Sequence, residues 1–385
     1  MILKPATPWR EWVALTCAVL AFPLILLGSA AAFITQAYLH FIFTFILGDP
    51  QVFVVLLLLA GALFSVVARW LLRAPVVAPR LRLTVVVFAT VAICALCASV
   101  VQVRLQYSTE RVVYTSGDGA NAVQLVATLY RPRGHGPFPT IVFVHGSEAT
   151  LRSRYHGFAE RFVKQGYVVL LPDRRGLGES GGVFVKEVSA SMLATLAGDI
   201  AAGAQFLKSR TDVDATRTGL FGVSQAGWVI PLVLPQAPTV SFAVIMSGPA
   251  VSTGEEDRFS HLSGEAGDHF GWKPPPIPFD SINAIAQATR SSGYEPDTSL
   301  RAMHVPTLWV YGSWDNSIPV AKSVQKLDSL VAQGNPITVR VFPFGNHGIF
   351  VMRGPNKRRL PYYADDLWAT VFSWLERRPR SALGV

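Results

Sequence analysis

Apolar positions along this chain follow two different patterns, and the change comes near Arg104. Before it they run almost unbroken through the windows 12–35, 52–72 and 83–103. Each window is long enough to cross a bilayer as a helix, which takes about 20 residues. After Arg104 the apolar runs shorten, gain Val, Ile and Phe, and alternate with longer segments of helical spacing. Strands are expected at "QLVATLY" from Gln124, "TIVFVHG" from Thr140, "YVVLLPD" from Tyr167 and "RTGLFGV" from Arg217, then "VSFAVIMSG" from Val240, "TLWVYGS" from Thr307 and "ITVRVFP" from Ile337. Helices are expected over 154–165, 190–209, 226–234, 320–333 and 362–376. Such alternation predicts an α/β domain with a mostly parallel central sheet flanked by helices. Continuous runs such as "IVFV" and "YVVLL" suit central strands covered on both faces.

The pattern divides the chain into a transmembrane anchor, 1–104, and a large domain, 105–385. Within the domain, 252–305 shows no strand and contains "GWKPPPIPFD", whose three consecutive prolines exclude helix and sheet locally. An interval of that length reads as a lid insertion. The first window also competes as a signal peptide, since Lys4 and Arg10 precede an apolar run ending in "GSAAA". Two further spans would remain after cleavage. Lys4, Arg10, Arg69, Arg73, Arg80 and Arg82 flank one side of the spans and only Asp49 the other. The excess of basic residues on the cytoplasmic side then predicts an internal N-terminus and an extracytoplasmic domain, periplasmic or at the cell surface in a bacterium.

Charge changes this picture little. The net charge of +9 is partly topological, and no dense basic stripe with interleaved aromatics suggests nucleic-acid binding. Cys17, Cys94 and Cys97 all fall in the expected spans, which leaves the large domain without a disulfide or a thiol metal site.

Chemistry enters through two serines. "GESGG" around Ser180 matches Gly-x-Ser-x-Gly letter for letter, whereas "FGVSQAGW" places Ala226 where the last glycine would stand. A serine hydroxyl needs a strand-turn-helix elbow that lifts it from the sheet, a histidine base and an orienting carboxylate. Ser224 directly follows an expected strand and opens an expected helix; Ser180 sits in a glycine-rich loop. The elbow requires small residues where strand and helix approach closely, and Gly222, Ala226 and Gly227 meet that need. Asp315, in "YGSWDNSIP", and His347, in "FPFGNHGIF", follow later strands in the order serine, acid, histidine. Asp328 and Asp280 compete weakly for the acid. His304, His145, His156, His261 and His269 have loop, surface or structural readings instead. Backbone donors for an oxyanion are expected at Gln225, after the nucleophile, and at Ser147 in "VHGSEA", where Gly146 permits close approach.

"FVHGS", "PDRRGLGESGG", "DVDATRTGLFGVSQAG", "VPTLWVYGSWDNSIP" and "FPFGNHGI" occur in the order found in α/β-hydrolases. The domain resembles that superfamily from about Val112 to Trp374, most nearly its serine aminopeptidase-like, dienelactone-hydrolase-like and acyl-CoA thioesterase-like branches. The resemblance implies hydrolysis of a small-molecule ester, thioester or amide through an acyl-enzyme, without metal or organic cofactor. The leading expectation is a membrane-anchored serine esterase. An amidase or aminopeptidase would need a carboxylate for the substrate's amino group, and Glu255, Glu256 and Glu265 are candidates. An acyltransferase, or a catalytically silent membrane-bound binding module, is the further alternative.

Overall fold

The computed structural model describes residues 106–265, 278–351 and 362–377, together with Gly61. Apart from Gly61, the three expected spans lie outside the described residues, as do the charges from which their orientation was drawn and 266–277 of the insertion.

Eight strands form one sheet in the order β1-β2-β4-β3-β5-β6-β7-β8. They are β1 (Tyr107–Ser116), β2 (Val123–Pro132), β3 (Phe138–Val144), β4 (Val168–Pro172), β5 (Val213–Val223), β6 (Val240–Met246), β7 (Thr307–Gly312) and β8 (Ile337–Phe342). β2 runs antiparallel to β4, and the pairs from β4 through β8 are parallel. A short antiparallel pair, β9 (Phe350–Val351) and β10 (Tyr362–Tyr363), stands apart. The helices are α1 (His156–Lys164), α2 (Ala190–Lys208), α3 (Ala226–Val233), α4 (Thr253–Ser263), α5 (Phe279–Ala288), α6 (Asp297–Arg301), α7 (Val320–Ala332) and α8 (Leu367–Glu376).

Alternation of side chains across the pleat explains why the central strands are apolar at every position. Phe143 of β3 lies opposite Phe221 of β5, and the two rings join Phe158 and Phe162 of α1 and Trp368 of α8 on one face. The intervening residues Val142, Val144 and Leu220 face the other way, into a core with α2 and α3. Each such buried ring or aliphatic chain contributes about 1.5–3 kcal/mol, so both faces hold the sheet between helices.

All seven expected strands and all five expected helices are present, with ends within a few residues except at α8, which starts at Leu367. β1 is an addition. It is an edge strand with Val112, Tyr114 and Ser116 buried and Arg111, Val113 and Thr115 exposed. Among its described residues the insertion between β6 and β7 contributes no strand and carries the helices α4, α5 and α6. α4 starts with a capping box: the Ser252 hydroxyl accepts from the Glu255 amide while the Glu255 carboxylate accepts from the Ser252 amide. Phe259 of α4 packs on Ile282 and Ala286 of α5, a small apolar cluster of its own.

Candidate active site

Strand register brings three loops to one edge of the sheet. Val223, the last residue of β5, pairs with Met246, the last of β6, and Gly312 pairs with Phe342 at the ends of β7 and β8. The chain leaving β5 carries Ser224, that leaving β7 carries Asp315, and that leaving β8 carries His347.

Ser224 has φ of +54°, a left-handed conformation that costs a non-glycine residue about 1–2 kcal/mol. Its amide donates to Met246 O at 2.9 Å and its carbonyl accepts from the Gly227 amide at 2.9 Å. The peptide is therefore fixed on both sides of the turn into α3. A Cβ on Gly222 would stand 2.3 Å from the Cβ of Ala226, and one on Gly227 would stand 2.6 Å from Pro249 O. Ala226 fits because Gly222 leaves room for its methyl group, which accounts for the departure from the glycine pattern.

Asp315 is 1% exposed. Its Oδ1 accepts from the amides of Ser317 at 2.8 Å and Ile318 at 2.9 Å, which offsets the cost of burying the charge. Its Oδ2 lies 2.9 Å from His347 Nδ1. A carboxylate only accepts, so Nδ1 carries the proton and Nε2 keeps a lone pair, the form a proton acceptor requires. The histidine loop is held by Asn346, whose Oδ1 accepts from the amides of Gly348 at 3.0 Å and Phe350 at 2.9 Å. The acid and base loops touch through backbone: a Cβ on Gly312 would lie 2.2 Å from Gly345 O, and the Trp314 amide donates to that oxygen at 2.8 Å.

Ser147 is exposed at the mouth of the β3 loop, and among the described residues its amide and that of Gln225 find no backbone acceptor. A Cβ on Gly146 would be 3.4 Å from that of Ser224, so the loop lies against the nucleophile turn. Arg174, which sequence reasoning did not single out, anchors the loop. Its buried guanidinium donates to Gly146 O at 2.8 Å and packs 5.0 Å from the Phe184 ring centre. The "DRR" run was the available signal, but burial of its middle residue arises only from the folded loop.

Other residues of interest fall outside the convergence. His145 is buried, its Nε2 donates to Pro172 O at 2.6 Å, and burial, then the Arg174 charge, pushes its pKa down to about 3. His156 Nδ1 bonds the Tyr130 hydroxyl at 2.7 Å. Asp328, Asp280, His261 and His304 are exposed, and His269 lies outside the described residues. Among the described residues no three His, Cys, Asp or Glu side chains converge as metal ligands.

Ser180 is a structural residue. Its hydroxyl accepts from the Val126 amide at 2.9 Å and donates to Asp173 O at 2.9 Å, tying the β4 loop to β2. Ser180→Ala leaves a buried amide without its partner, so the expected loss is about 1–3 kcal/mol of stability with unchanged turnover per folded molecule. Urea unfolding together with an active-site titration checks both halves.

The sequence profile of the Prolyl oligopeptidase family matches residues 155–375, more than half of the chain. The chain belongs to the prolyl oligopeptidase family. It is thus a serine hydrolase with the α/β-hydrolase fold, whose members include esterases, lipases and peptidases among its relatives. A monoacylglycerol lipase of Mycolicibacterium smegmatis is 26% identical over 288 residues, covering 67% of this chain and 96% of the lipase. Acylamino-acid-releasing enzyme 1 of rice is 24% identical over 55% of this chain, and human dipeptidyl peptidase 8 is 25% identical over 61%. Those matches span only 27% and 26% of the two peptidases. The acylaminoacyl peptidase structure from Pyrococcus horikoshii superposes with a TM-score of 0.50 at 17% identity, over 74% of this chain and 44% of its own. That likeness shows the fold. The α/β-hydrolase resemblance of the motifs is borne out, and the family profile narrows the assignment to the prolyl oligopeptidase family.

Proposed function

We propose that this prolyl oligopeptidase family member hydrolyses carboxylic esters or thioesters, attached to a membrane by its N-terminal segments with the catalytic domain outside the cytoplasm. The observation that carries the chemistry is the buried Asp315–His347 pair on the strand edge that also bears the strained Ser224 turn. His347 Nε2 takes the Ser224 proton as Oγ attacks the acyl carbon. The Ser147 and Gln225 amides receive the oxyanion. Collapse expels the alcohol or thiol with that proton, and water repeats the sequence to release the acid. Ester chemistry is supported by the match to nearly the whole of a monoacylglycerol lipase, against about a quarter of each peptidase. The test is treatment of the full-length protein with a fluorophosphonate, followed by peptide mass mapping and a panel of aryl esters, thioesters and aminoacyl amides. An adduct on Ser224 with preference for esters supports the proposal. An adduct elsewhere overturns the nucleophile, and a preference for amides overturns the substrate class.

One observation favours the amidase or aminopeptidase reading. Glu256 of α4 has its pKa pushed up to about 8, by burial first and then by the charges of Glu265, Asp257 and Asp315. A substrate ammonium group nearby would restore the charge that this carboxyl group loses to burial. Glu255 is committed instead to the capping box and to Lys322. With its pKa raised from 4.5, Glu256 keeps a proton in the folded chain that the unfolded chain releases. Stability is therefore lost as pH rises from about 4.5 to 8. Glu256→Gln removes that slope. The side chain is partly solvent-accessible, so the expected gain at pH 8 relative to pH 5 is about 1–2 kcal/mol, read from urea midpoints at both pH values. Loss of aminoacyl-amide turnover with aryl-ester turnover unchanged is the result expected if Glu256 holds an amino group.

A further inference from the structure

The turn that carries His347 is strained on both sides of the histidine. Phe344 has φ of +59° and Ile349 has φ of +57°. For a β-branched residue such as Ile349 the left-handed region is an outlier, and it persists only where the surrounding structure over-determines it. The turn is closed across its base: the Asn346 amide donates to Phe350 O at 3.0 Å and the Ile349 amide to Asn346 O at 2.8 Å. From outside the turn, the Ala364 amide donates to Ile349 O at 2.9 Å.

Rings packed around one cation hold the closing residue, Phe350. Its buried ring faces Tyr363 across the β9–β10 pair, with ring centres 4.3 Å apart. The Arg161 guanidinium of α1 lies 5.1 Å from the Tyr363 ring centre and 4.7 Å from that of Trp368 on α8. Both helices are seated on the sheet, since Phe162 and Trp368 pack on Phe221 of β5 with ring centres 4.9 and 6.3 Å away. An unbroken set of contacts therefore runs from the centre of the sheet to the residue that closes the histidine turn. Arg161 Nη2 is buried without a hydrogen-bond partner among the described residues, and burial lowers the pKa of a group that nonetheless stays charged. An apolar side chain would fill this place with less loss of hydration. What the cation adds is attraction to two ring faces.

We propose that Arg161 is a positioning residue for His347. Its charge, held against Tyr363 and Trp368, pins the Tyr363–Phe350 pair and so keeps the strained turn in the arrangement that sets Nδ1 2.9 Å from Asp315. This inference rests on reading His347 as the base.

The test is kinetics of Arg161→Met and Arg161→Lys in the full-length protein, with fluorophosphonate titration carried to completion and urea unfolding of each variant. Methionine fills the space without the charge. Its kcat per titrated site is expected to fall about tenfold with KM within about twofold, because a base held off its line loses rate rather than binding. Its unfolding midpoint stays level or rises, since a desolvated charge is gone and the turn is free to relax. Lysine keeps a cation beside the rings and restores part of the rate. The kinetic pair decides, because titration counts only folded sites. A lower midpoint with kcat per site unchanged marks a merely structural residue and overturns the proposal, as does a loss of kcat that lysine leaves wholly unrestored. His347→Ala separates the inference from its basis. Near-parental kcat in that variant dismisses the base itself, whereas its loss there beside parental kcat in Arg161→Met dismisses the role of Arg161 alone.

Discussion

Replacing Ser224 with alanine lowers kcat by roughly 10⁶-fold and abolishes fluorophosphonate labelling, with the fold intact. The size follows from the proposed role of Ser224 Oγ as the atom that forms the acyl bond; in serine hydrolases the remaining acceleration, about 10³–10⁴ over water, comes from oxyanion donors and binding. Alanine carries the same penalty as serine at φ of +54°, and the two backbone hydrogen bonds that fix the turn do not involve the side chain. Unfolding midpoints of the variant and the parent therefore agree closely. Circular dichroism and urea unfolding establish the fold, and single-turnover assays with an activated aryl ester establish the rate. Ser180→Ala is the matched control, since it removes a serine hydroxyl with the opposite profile of effects. Activity that survives in the first variant and disappears in the second would reverse the assignment.

Asp315→Asn is expected to lower kcat by about 10⁴-fold, through a tautomer rather than through lost structure. The two amides that bind Asp315 Oδ1, from Ser317 and Ile318, require an acceptor, and the amide oxygen of asparagine satisfies them. That choice fixes the NH₂ group toward His347 Nδ1, where the carboxylate Oδ2 had stood 2.9 Å away. Two donors cannot share the bond, so the imidazole moves its proton to Nε2 and can no longer accept one from Ser224. Stability stays within about 1–2 kcal/mol, because no backbone partner is lost. The distinguishing measurement is the pH–rate profile. At high pH, where hydroxide can serve as the base, the variant recovers part of its rate, whereas a variant with a disordered loop does not.

The elements that hold the site were legible wherever the physical signal was local. Runs such as "TIVFV" and "TGLFGV" become central strands because both faces of the pleat are covered, so no polar alternation interrupts them. Ser224 was separable from Ser180 as a nucleophile candidate by its expected strand-turn-helix setting, and it does stand between β5 and α3 whereas Ser180 sits in a hydrogen-bonded loop. β1 was missed because it is an edge strand. Its "STER" stretch exposes Thr109, Glu110 and Arg111, and its inward residues are spaced among polar ones. α4 carried a readable start, since Ser252 and Glu255 stand three apart in a capping box, but the polar, serine-rich segment after it obscured the helix. The raised pKa of Glu256 and the burial of Arg174 were not legible at all, because each depends on groups brought close only by the sheet. The family motifs sit at strand ends that the fold itself requires. They resemble several branches equally for that reason, and the prolyl oligopeptidase assignment needed the whole span from 155 to 375.

Strand order also sets a schedule during synthesis. Ser224 leaves the ribosome with β5 at the middle of the sheet, while the edge that presents Asp315 and His347 does not yet exist. The histidine follows the serine by more than a hundred residues, and its loop is seated only when Gly345 closes against Gly312. On the proposed mechanism Ser224 has no base until then, so a nascent chain is expected to gain reactivity toward acyl compounds only once the loop after β8 is seated.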